Sequence, residues 1–220
     1  MGVILSILLL GGFFPQDNLG ALANGVDPAF DISQRRMGGT LSGMLLVESP
    51  YEGYVMFLKP RICFKIKGFS FGIGFLTAPF STGGVTGLPL TADVATSLGF
   101  AEKFFLRPRV WLEGPADFYA ASSSHTYDIN FAGGGGADLI WSPFSSSFRP
   151  IFSLGGSMAY ASGRLVDDLA DHSEPLEGFG AAGNASISFC LERETWGASL
   201  AARASYGGRF IPEISLSFLW

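Results

Sequence analysis

The chain alternates between apolar and polar residues over most of its length. The last eleven residues show the pattern most clearly, because one apolar stripe occupies every second position and mostly polar residues fill the positions between. This stripe consists of Phe210, Pro212, Ile214, Leu216, Phe218 and Trp220. Alternation at a period of two predicts a β-strand with one apolar and one polar face.

The same alternation recurs along the chain, so we expect an all-β fold of about ten antiparallel strands, with eight strands as the alternative. The predicted strands are residues 38–48, 53–66, 69–77, 90–100, 104–113, 127–141, 148–160, 179–191, 196–206 and 210–220. At Lys67-Gly68 the apolar face changes from even to odd positions. We interpret this change as a two-residue hairpin, since Gly tolerates the positive φ that such turns need. A bulge would leave a strand longer than 20 residues,.

The composition favours contact with lipid. Hydrophobic residues make up 48% of the 220 residues and charged residues only 15%, against roughly 25% in soluble proteins,. No stretch reaches the roughly 18 apolar residues of a membrane-spanning helix, so a membrane would be crossed by strands. The net charge of −5 speaks against nucleic acid as a partner,. The two cysteines are too few for a disulfide scaffold,.

Aromatic residues cluster at both ends of the apolar face, which is where a barrel meets the two membrane interfaces. From the second strand onward this face carries no charged residue. The predicted membrane-anchoring aromatics are Tyr54, Phe100, Phe104, Tyr127, Trp141, Phe148, Tyr160, Phe179, Trp196, Tyr206, Phe210 and Trp220. The competing interpretation is a secreted lipocalin-like barrel with its apolar face inside. The abundance of Gly, Ala and Ser on the other face argues against that alternative.

The terminal strand resembles that of the bacterial outer-membrane β-barrel family, in which an aromatic last residue follows apolar residues two, four and six positions earlier. Ile214, Leu216, Phe218 and Trp220 match this pattern. The resemblance implies an up-and-down transmembrane barrel in the bacterial outer membrane, with lipid and the barrel-assembly machinery as partners and these four residues as the assembly signal. In size the chain is similar to the small OmpX/OmpW-like barrels.

Long and short connections alternate along the predicted barrel. The long ones are Ala78–Pro89, Gly114–Ser124 and Ser162–Glu177, the last being the longest and most acidic. In outer-membrane barrels the long loops face the outside and the short turns face the periplasm. We therefore expect both termini on the periplasmic side.

The polar face of the predicted strands would line the barrel interior. Its charged members are Lys59, Arg61, Lys65, Asp93, Arg107, Arg109, Glu113, Asp128, Asp138, Arg203 and Glu213. Pairing in the last hairpin puts Arg203 opposite Glu213, which predicts an ion pair. Arg61 would lie opposite Gly74, where the missing side chain leaves room. The interior is either a polar conduit that selects solutes by charge or a barrel filled by its own side chains.

The N-terminal residues predict export. An apolar run at Val3–Phe14 precedes Ala21-Leu22-Ala23, which has the small-x-small form of a signal-peptidase site,. We divide the chain into a signal peptide at residues 1–23, a periplasmic N-terminal segment at 24–37 and the transmembrane barrel at 38–220.

We expect the barrel to act as a small pore or channel for ions or small solutes, a class that includes small hydrophobic molecules. The alternative is a non-conducting structural barrel or surface adhesin that presents its outer loops. We expect no enzymatic activity, because His125 and Asp128 form no more than an isolated acid–base candidate. Neither a metal site nor a cofactor is predicted: the acidic loop fits no cation-binding motif, and Gly133–Gly136 lies within a strand and precedes no helix.

Overall fold

The computed structural model describes residues 27–49, 53–81, 83–86, 90–120, 125–167, 172–207 and 210–220. The predicted signal peptide lies outside these residues. The described chain forms one short helix and fourteen strands. They are α1 (Pro28–Ile32), β1 (Met37–Ser49), β2 (Gly53–Ile66), β3 (Phe69–Phe75), β4 (Thr77–Ser81), β5 (Gly83–Thr86), β6 (Leu90–Thr96), β7 (Leu98–Ala101), β8 (Phe104–Glu113), β9 (Ala116–Ala120), β10 (His125–Trp141), β11 (Phe148–Asp167), β12 (His172–Glu192), β13 (Gly197–Tyr206) and β14 (Phe210–Leu219). No helix among the described residues has the length and apolar character needed to cross a membrane.

Ten of the strands form a closed antiparallel ring, which confirms the predicted fold class and decides between ten and eight strands. The order around the ring is β1, β2, β3, β6, β8, β10, β11, β12, β13 and β14, and β14 pairs with β1. The remaining four strands extend this wall: β4 pairs with β2, β5 with β9, β9 with β10 and β7 with β8.

Short turns connect the strands at one end of the barrel, which we call the turn end; the opposite end is the loop end. The predicted hairpin at Lys67-Gly68 is present, with Ile66 paired to Phe69. Lys67 and Gly68 have φ values of 49° and 87°, as a two-residue hairpin with a right-handed twist requires,. The other turns at this end lie between β7 and β8, β10 and β11, and β12 and β13.

The terminal strand completes the barrel. Its register with β1 runs from Gly38 opposite Leu219 to Met44 opposite Glu213. At the turn end, Trp220 N–H donates to the Met37 carbonyl (2.9 Å), and Met37 N–H donates to the Trp220 carbonyl (3.1 Å). Over this register the edges of the two strands are paired with each other, which is how a barrel avoids the exposed edge of an open sheet,.

The three connections predicted as long loops are strands over part of their length. The hairpin of β11 and β12 stays paired from Ser162 opposite Glu177 to Asp167 opposite His172. Likewise, β5 and most of β4 lie within the predicted loop at residues 78–89, and β9 lies within the one at residues 114–124. These segments lack an apolar stripe because backbone pairing alone can extend a hairpin, whereas only contact with lipid or a core imposes alternation.

The apolar face points outward and the charged face points inward. Large apolar side chains of successive strands are exposed, among them Ile62 (60%), Val110 (58%) and Leu154 (66%). By contrast, Lys59 and Arg107 are 0% and 1% exposed. A soluble barrel with its apolar face inside is therefore excluded.

The interior has three layers between the two ends. Toward the loop end is an apolar group, the loop-end layer, made of Met44, Phe57, Leu76, Ile129 and Ile211. A charged layer follows, and an apolar collar lies at the turn end. The collar comprises Cys63, Ile140, Ile151, Cys190 and Leu219. On β2 the order is visible within one strand, because Phe57 precedes the buried Lys59 and Arg61, and Cys63 follows them.

An irregularity in β10 exchanges the inward-facing and outward-facing positions on the loop-end side of the strand. The pairing with β11 passes from Ile129 opposite Gly163 to Phe131 opposite Ser162, so no residue of β11 lies opposite Asn130. As a result Ile129, which regular alternation would place on the same face as the predicted lipid-facing Tyr127, is only 2% exposed. A single inserted residue is enough to exchange the two faces of a strand.

Candidate functional site

The segment Asp27–Ser33, here called the plug segment, lies inside the barrel at the turn end. Its helix α1 has five residues, with Pro28 at the start. The Asp27 carboxylate accepts a hydrogen bond from Ala29 N–H (2.9 Å) and caps the helix. Ala29 and Phe30 are 0% and 1% exposed. Because so short a helix is unstable in water, its contacts with the wall must hold it in place.

Hydroxyl groups of three neighbouring strands bind the Asp27 carboxylate. Ser188 of β12 (3.2 Å), Ser199 of β13 and Ser217 of β14 (3.1 Å) donate to its oxygens. Thr40 of β1 extends this group through a 3.0 Å hydrogen bond between its hydroxyl and that of Ser217. The wall thus offers a cluster of neutral donors to a carboxylate, which compensates the loss of water around the buried charge.

Two cations of the wall hold the other end of α1. Arg107 donates from Nε to the Asp31 carboxylate. Lys65 donates from Nζ to the carbonyl oxygens of Asp31 (3.0 Å) and Ser33 (2.6 Å), and the same nitrogen lies 4.9 Å from the centre of the Phe30 ring. A cation beside the last carbonyls of a helix stabilises groups that the helix itself leaves unpaired.

The apolar side of the plug segment packs into the apolar collar. Ala29 and Phe30 belong to one buried cluster with the five collar residues, and Ile32 and Phe105 pack against this cluster. The plug segment is therefore held by apolar packing on one side and by the hydrogen bonds and ion pair of its two carboxylates on the other.

Asp138 is the centre of a network that joins the plug segment to the charged layer. Arg107 Nη1 and Arg109 Nε each donate to Asp138 Oδ2 at 3.0 Å. With its amide oriented to satisfy both neighbours, Asn184 donates to Asp138 Oδ1 (3.2 Å) and accepts from Arg109 Nη2 (3.3 Å). Because Arg107 also binds Asp31, these contacts form one chain from β12 across β10 and β8 to the plug.

Missing side chains make room for a second ion pair on the β2–β3–β6 side. Arg61 forms a salt bridge with Asp93. As predicted, Arg61 lies opposite Gly74. A Cβ atom on Gly74 would lie 2.6 Å from Arg61 Cγ, and one on Gly72 would lie 2.5 Å from Asp93 Oδ1. The two glycines therefore provide the space in which the ion pair fits.

The predicted pairing of Arg203 with Glu213 is also present, with the two residues in register and 3.6 Å between Arg203 Nη1 and Glu213 Oε2. Glu113 differs from the other acids. Its side chain is 3% exposed, and neither oxygen has a hydrogen-bond partner among the described residues.

The structure brings together nearly all the charged residues that the sequence assigned to the interior. Lys65 is partly buried at the turn end, and nine others are buried in the charged layer: Lys59, Arg61, Asp93, Arg107, Arg109, Glu113, Asp138, Arg203 and Glu213. Asp128 is not grouped with them. It lies on the loop-end side of the irregularity at Asn130, where inward-facing and outward-facing positions are exchanged and Ile129 faces the interior.

The aromatic residues assigned to the membrane interfaces lie on the outside wherever their side chains are described. Their exposed fractions range from 38% for Phe104 to 73% for Phe179, apart from the partly buried Tyr160. Near the turn end the rings stack across strands, with centres 6.3 Å apart for Phe104 and Trp141. The side chains of Tyr54 and Tyr127 lie outside the described set. The terminal-strand residues Ile214, Leu216, Phe218 and Trp220 are 64%, 46%, 55% and 52% exposed.

The sequence analysis did not predict the plug segment, since it assigned residues 24–37 only to a periplasmic N-terminal segment. One local signal was available. An Asp followed by Pro is typical of a helix start, since the carboxylate caps the first free N–H groups and Pro has no N–H to leave unpaired. No group of three His, Cys, Asp or Glu side chains suited to a metal ion lies together in the described part of the chain.

Comparison with known proteins finds likeness in structure only. No family model and no curated protein sequence matches the chain. Among solved structures, the P. putida toluene transporter TodX aligns with a TM-score of 0.39 and 10% identity, over 91% of this chain and 71% of that one. The siderophore receptor PirA from Pseudomonas aeruginosa aligns with a TM-score of 0.24 and 9% identity, over 83% of this chain and 40% of that one.

Proposed function

We propose that the protein is an outer-membrane β-barrel that passes ions or small solutes, and that the plug segment is its closure. One observation carries the proposal. The plug segment is held inside a closed polar barrel through two carboxylates, Asp27 and Asp31, bound to wall groups of four strands, β8, β12, β13 and β14. Such side-chain contacts can be exchanged for water or solute one at a time, whereas the backbone ladder of the wall cannot.

The membrane location rests on the outer face. Soluble monomers rarely expose contiguous apolar patches above a few hundred square ångströms. Here exposed apolar side chains cover strand after strand, as in Ile73 (55%), Leu112 (55%) and Leu200 (52%). Lipid is the partner that this surface fits. The apolar stripe on β14, followed by the aromatic Trp220, supports delivery by the barrel-assembly machinery, with both termini on the periplasmic side,.

The first test asks whether the purified chain behaves as a membrane barrel and conducts. We expect a band shift between unheated and boiled samples in detergent gels, because closed barrels resist unfolding. In planar bilayers we expect brief, infrequent current steps from the wild-type protein, since the plug segment closes the turn end. A refolded chain that is a compact monomer in buffer without detergent would refute the membrane location.

Weakening the contacts of the two plug carboxylates with the wall should open the barrel. In the double variant Asp27→Asn/Asp31→Asn, the hydroxyl cluster and Arg107 lose the charge that they bind. We expect the open fraction of the current record to rise about tenfold or more, equivalent to a loss of about 1.4 kcal/mol or more from the closed state. The band shift on heating serves as the folding control. Equal open fractions in a folded double variant and in the wild type would contradict the role of the plug.

A disulfide between the plug segment and the wall should keep the barrel closed. The variant Ala29→Cys introduces a thiol into the buried cluster that already holds Cys63 and Cys190. We expect oxidation to join position 29 to one of these cysteines, which remains to be identified by the variants Cys63→Ser and Cys190→Ser. Current steps should disappear after oxidation and return with dithiothreitol. Unchanged conductance of a cross-linked protein, verified by mass spectrometry, would show that ions bypass the plug.

A non-conducting barrel that presents an outer hairpin is the second candidate. It is favoured by the lengths of β11 and β12, which have 20 and 21 residues against 10 each for β13 and β14. Under this alternative no variant of the plug segment conducts, and shortening the hairpin at residues 163–176 abolishes binding of the protein to its surface ligand.

A further inference from the structure

The inward-facing charges of the described wall do not balance without the plug segment. The wall contributes five buried cations (Lys59, Arg61, Arg107, Arg109, Arg203) and four buried anions (Asp93, Glu113, Asp138, Glu213). Lys65 adds a sixth cation, because its ammonium group points to the plug segment. The plug carries two acids and no base into the barrel, Asp27 and Asp31. Among these interior groups, charge neutrality therefore depends on the plug.

The turn-end rim adds to this positive balance and supplies no unmatched acid. Glu192 pairs there with both Arg149 (2.7 Å) and Arg35 (3.9 Å), so these three partly exposed groups contribute one further positive charge. When the plug segment moves away, the described interior is left with an excess of two positive charges. A pore lined by an excess of one charge attracts ions of the opposite sign and repels those of its own sign.

The groups that bind the two aspartates are suited to carboxylates in general. Three serine hydroxyls converge on Asp27, and Arg107 binds Asp31 through Nε, while its Nη2 has no hydrogen-bond partner among the described residues. A guanidinium with a free N–H group is well placed to bind a carboxylate, and hydroxyl donors complete its shell. The plug segment therefore presents two carboxylates, carried on one chain, to these wall groups.

We infer that the solutes admitted by this barrel are small carboxylates, and that a dicarboxylate opens it by replacing Asp27 and Asp31 at the serine cluster and at Arg107. The inference rests on the proposed function, since it requires that the plug segment is the closure. A solute that binds only the plug-free wall shifts the equilibrium toward the open state in proportion to its concentration.

Ion selectivity of the opened barrel tests the charge balance. We would measure the reversal potential of Asp27→Asn/Asp31→Asn in a tenfold potassium chloride gradient. The expected potential lies toward the chloride equilibrium potential. Adding Arg107→Gln should shift it toward zero, and Arg107→Lys should retain the anion preference. A potential at zero or toward potassium would overturn the inference and leave the pore itself intact, whereas absence of current in every folded variant would overturn both.

Ligand chemistry is tested on the wild-type protein. Succinate carries two carboxylates, and its diamide succinamide has the same shape without charge. We expect succinate to raise the open fraction about tenfold at millimolar concentration, equivalent to about 1.4 kcal/mol, and succinamide to have no effect. Sulfate separates carboxylate recognition from a response to any divalent anion. Equal responses to succinate and succinamide, or to succinate and sulfate, would overturn the assignment to carboxylates.

Discussion

Replacing Asp138 by alanine will destabilise the barrel by about 3–5 kcal/mol, the usual cost of removing one partner from a buried ion pair. Asp138 is 1% exposed and accepts from both Arg107 and Arg109. Its loss leaves two guanidinium groups close together in an interior where water cannot replace the carboxylate. Arg107 keeps Asp31, but Arg109 loses its ion-pair partner.

The measurement is equilibrium unfolding by urea in lipid vesicles, followed by tryptophan fluorescence. The matched control is Glu192→Gln, which breaks the pairs with Arg149 (2.7 Å) and Arg35 (3.9 Å) at the rim, where all three side chains are 16–18% exposed. We expect a loss of at most about 1 kcal/mol there, because water screens and replaces a partly exposed partner. Similar losses for the two variants would mean that water reaches Asp138 freely and that the charged layer is hydrated.

The outward-facing apolar positions of the barrel wall were predictable from the sequence. The outer face carries an apolar residue at every second position of a wall strand, so this alternation located the ten ring strands, although the predicted strand at residues 90–100 is divided into β6 and β7. Cross-strand neighbours followed from the turns: once Lys67-Gly68 is a two-residue turn, Arg61 must face Gly74. The pairing of Arg203 with Glu213 followed in the same way from the last hairpin.

The plug segment and the apolar loop-end layer were not predictable. The plug segment is surrounded by hydroxyls, cations and apolar side chains, so its five-residue helix needs no amphipathic stripe. The loop-end layer places Met44 and Phe57 inside, on positions that the alternation reserves for small or polar residues. In a barrel interior, apolar and polar side chains can occupy the same face at different positions along the barrel axis. Alternation at a period of two shows which face a residue is on but not where along the axis it lies.

Alanine at Gly136 will cost roughly 1–3 kcal/mol of stability, whereas alanine at Gly135 will be tolerated. The two residues are neighbours in the glycine run of β10 but face opposite sides of the wall. A Cβ atom on Gly136 would collide with the Gly156 carbonyl and lie 2.9 Å from both Cα and Cβ of Ser157. Those atoms belong to the adjacent strand β11 and cannot rotate away.

A Cβ atom on Gly135 would meet only ordinary contacts, with the Arg109 carbonyl at 3.4 Å and Val110 Cγ1 at 3.6 Å. Neither glycine has a positive φ, so the backbone conformation itself suits alanine at both positions. Restricting the unfolded chain should even stabilise Gly135→Ala by up to about 1 kcal/mol. Urea midpoints and the temperature of the gel band shift would measure both variants. Equal behaviour of the pair would show that β10 and β11 can separate at this level, and that the run serves flexibility of the wall instead of close approach of its strands.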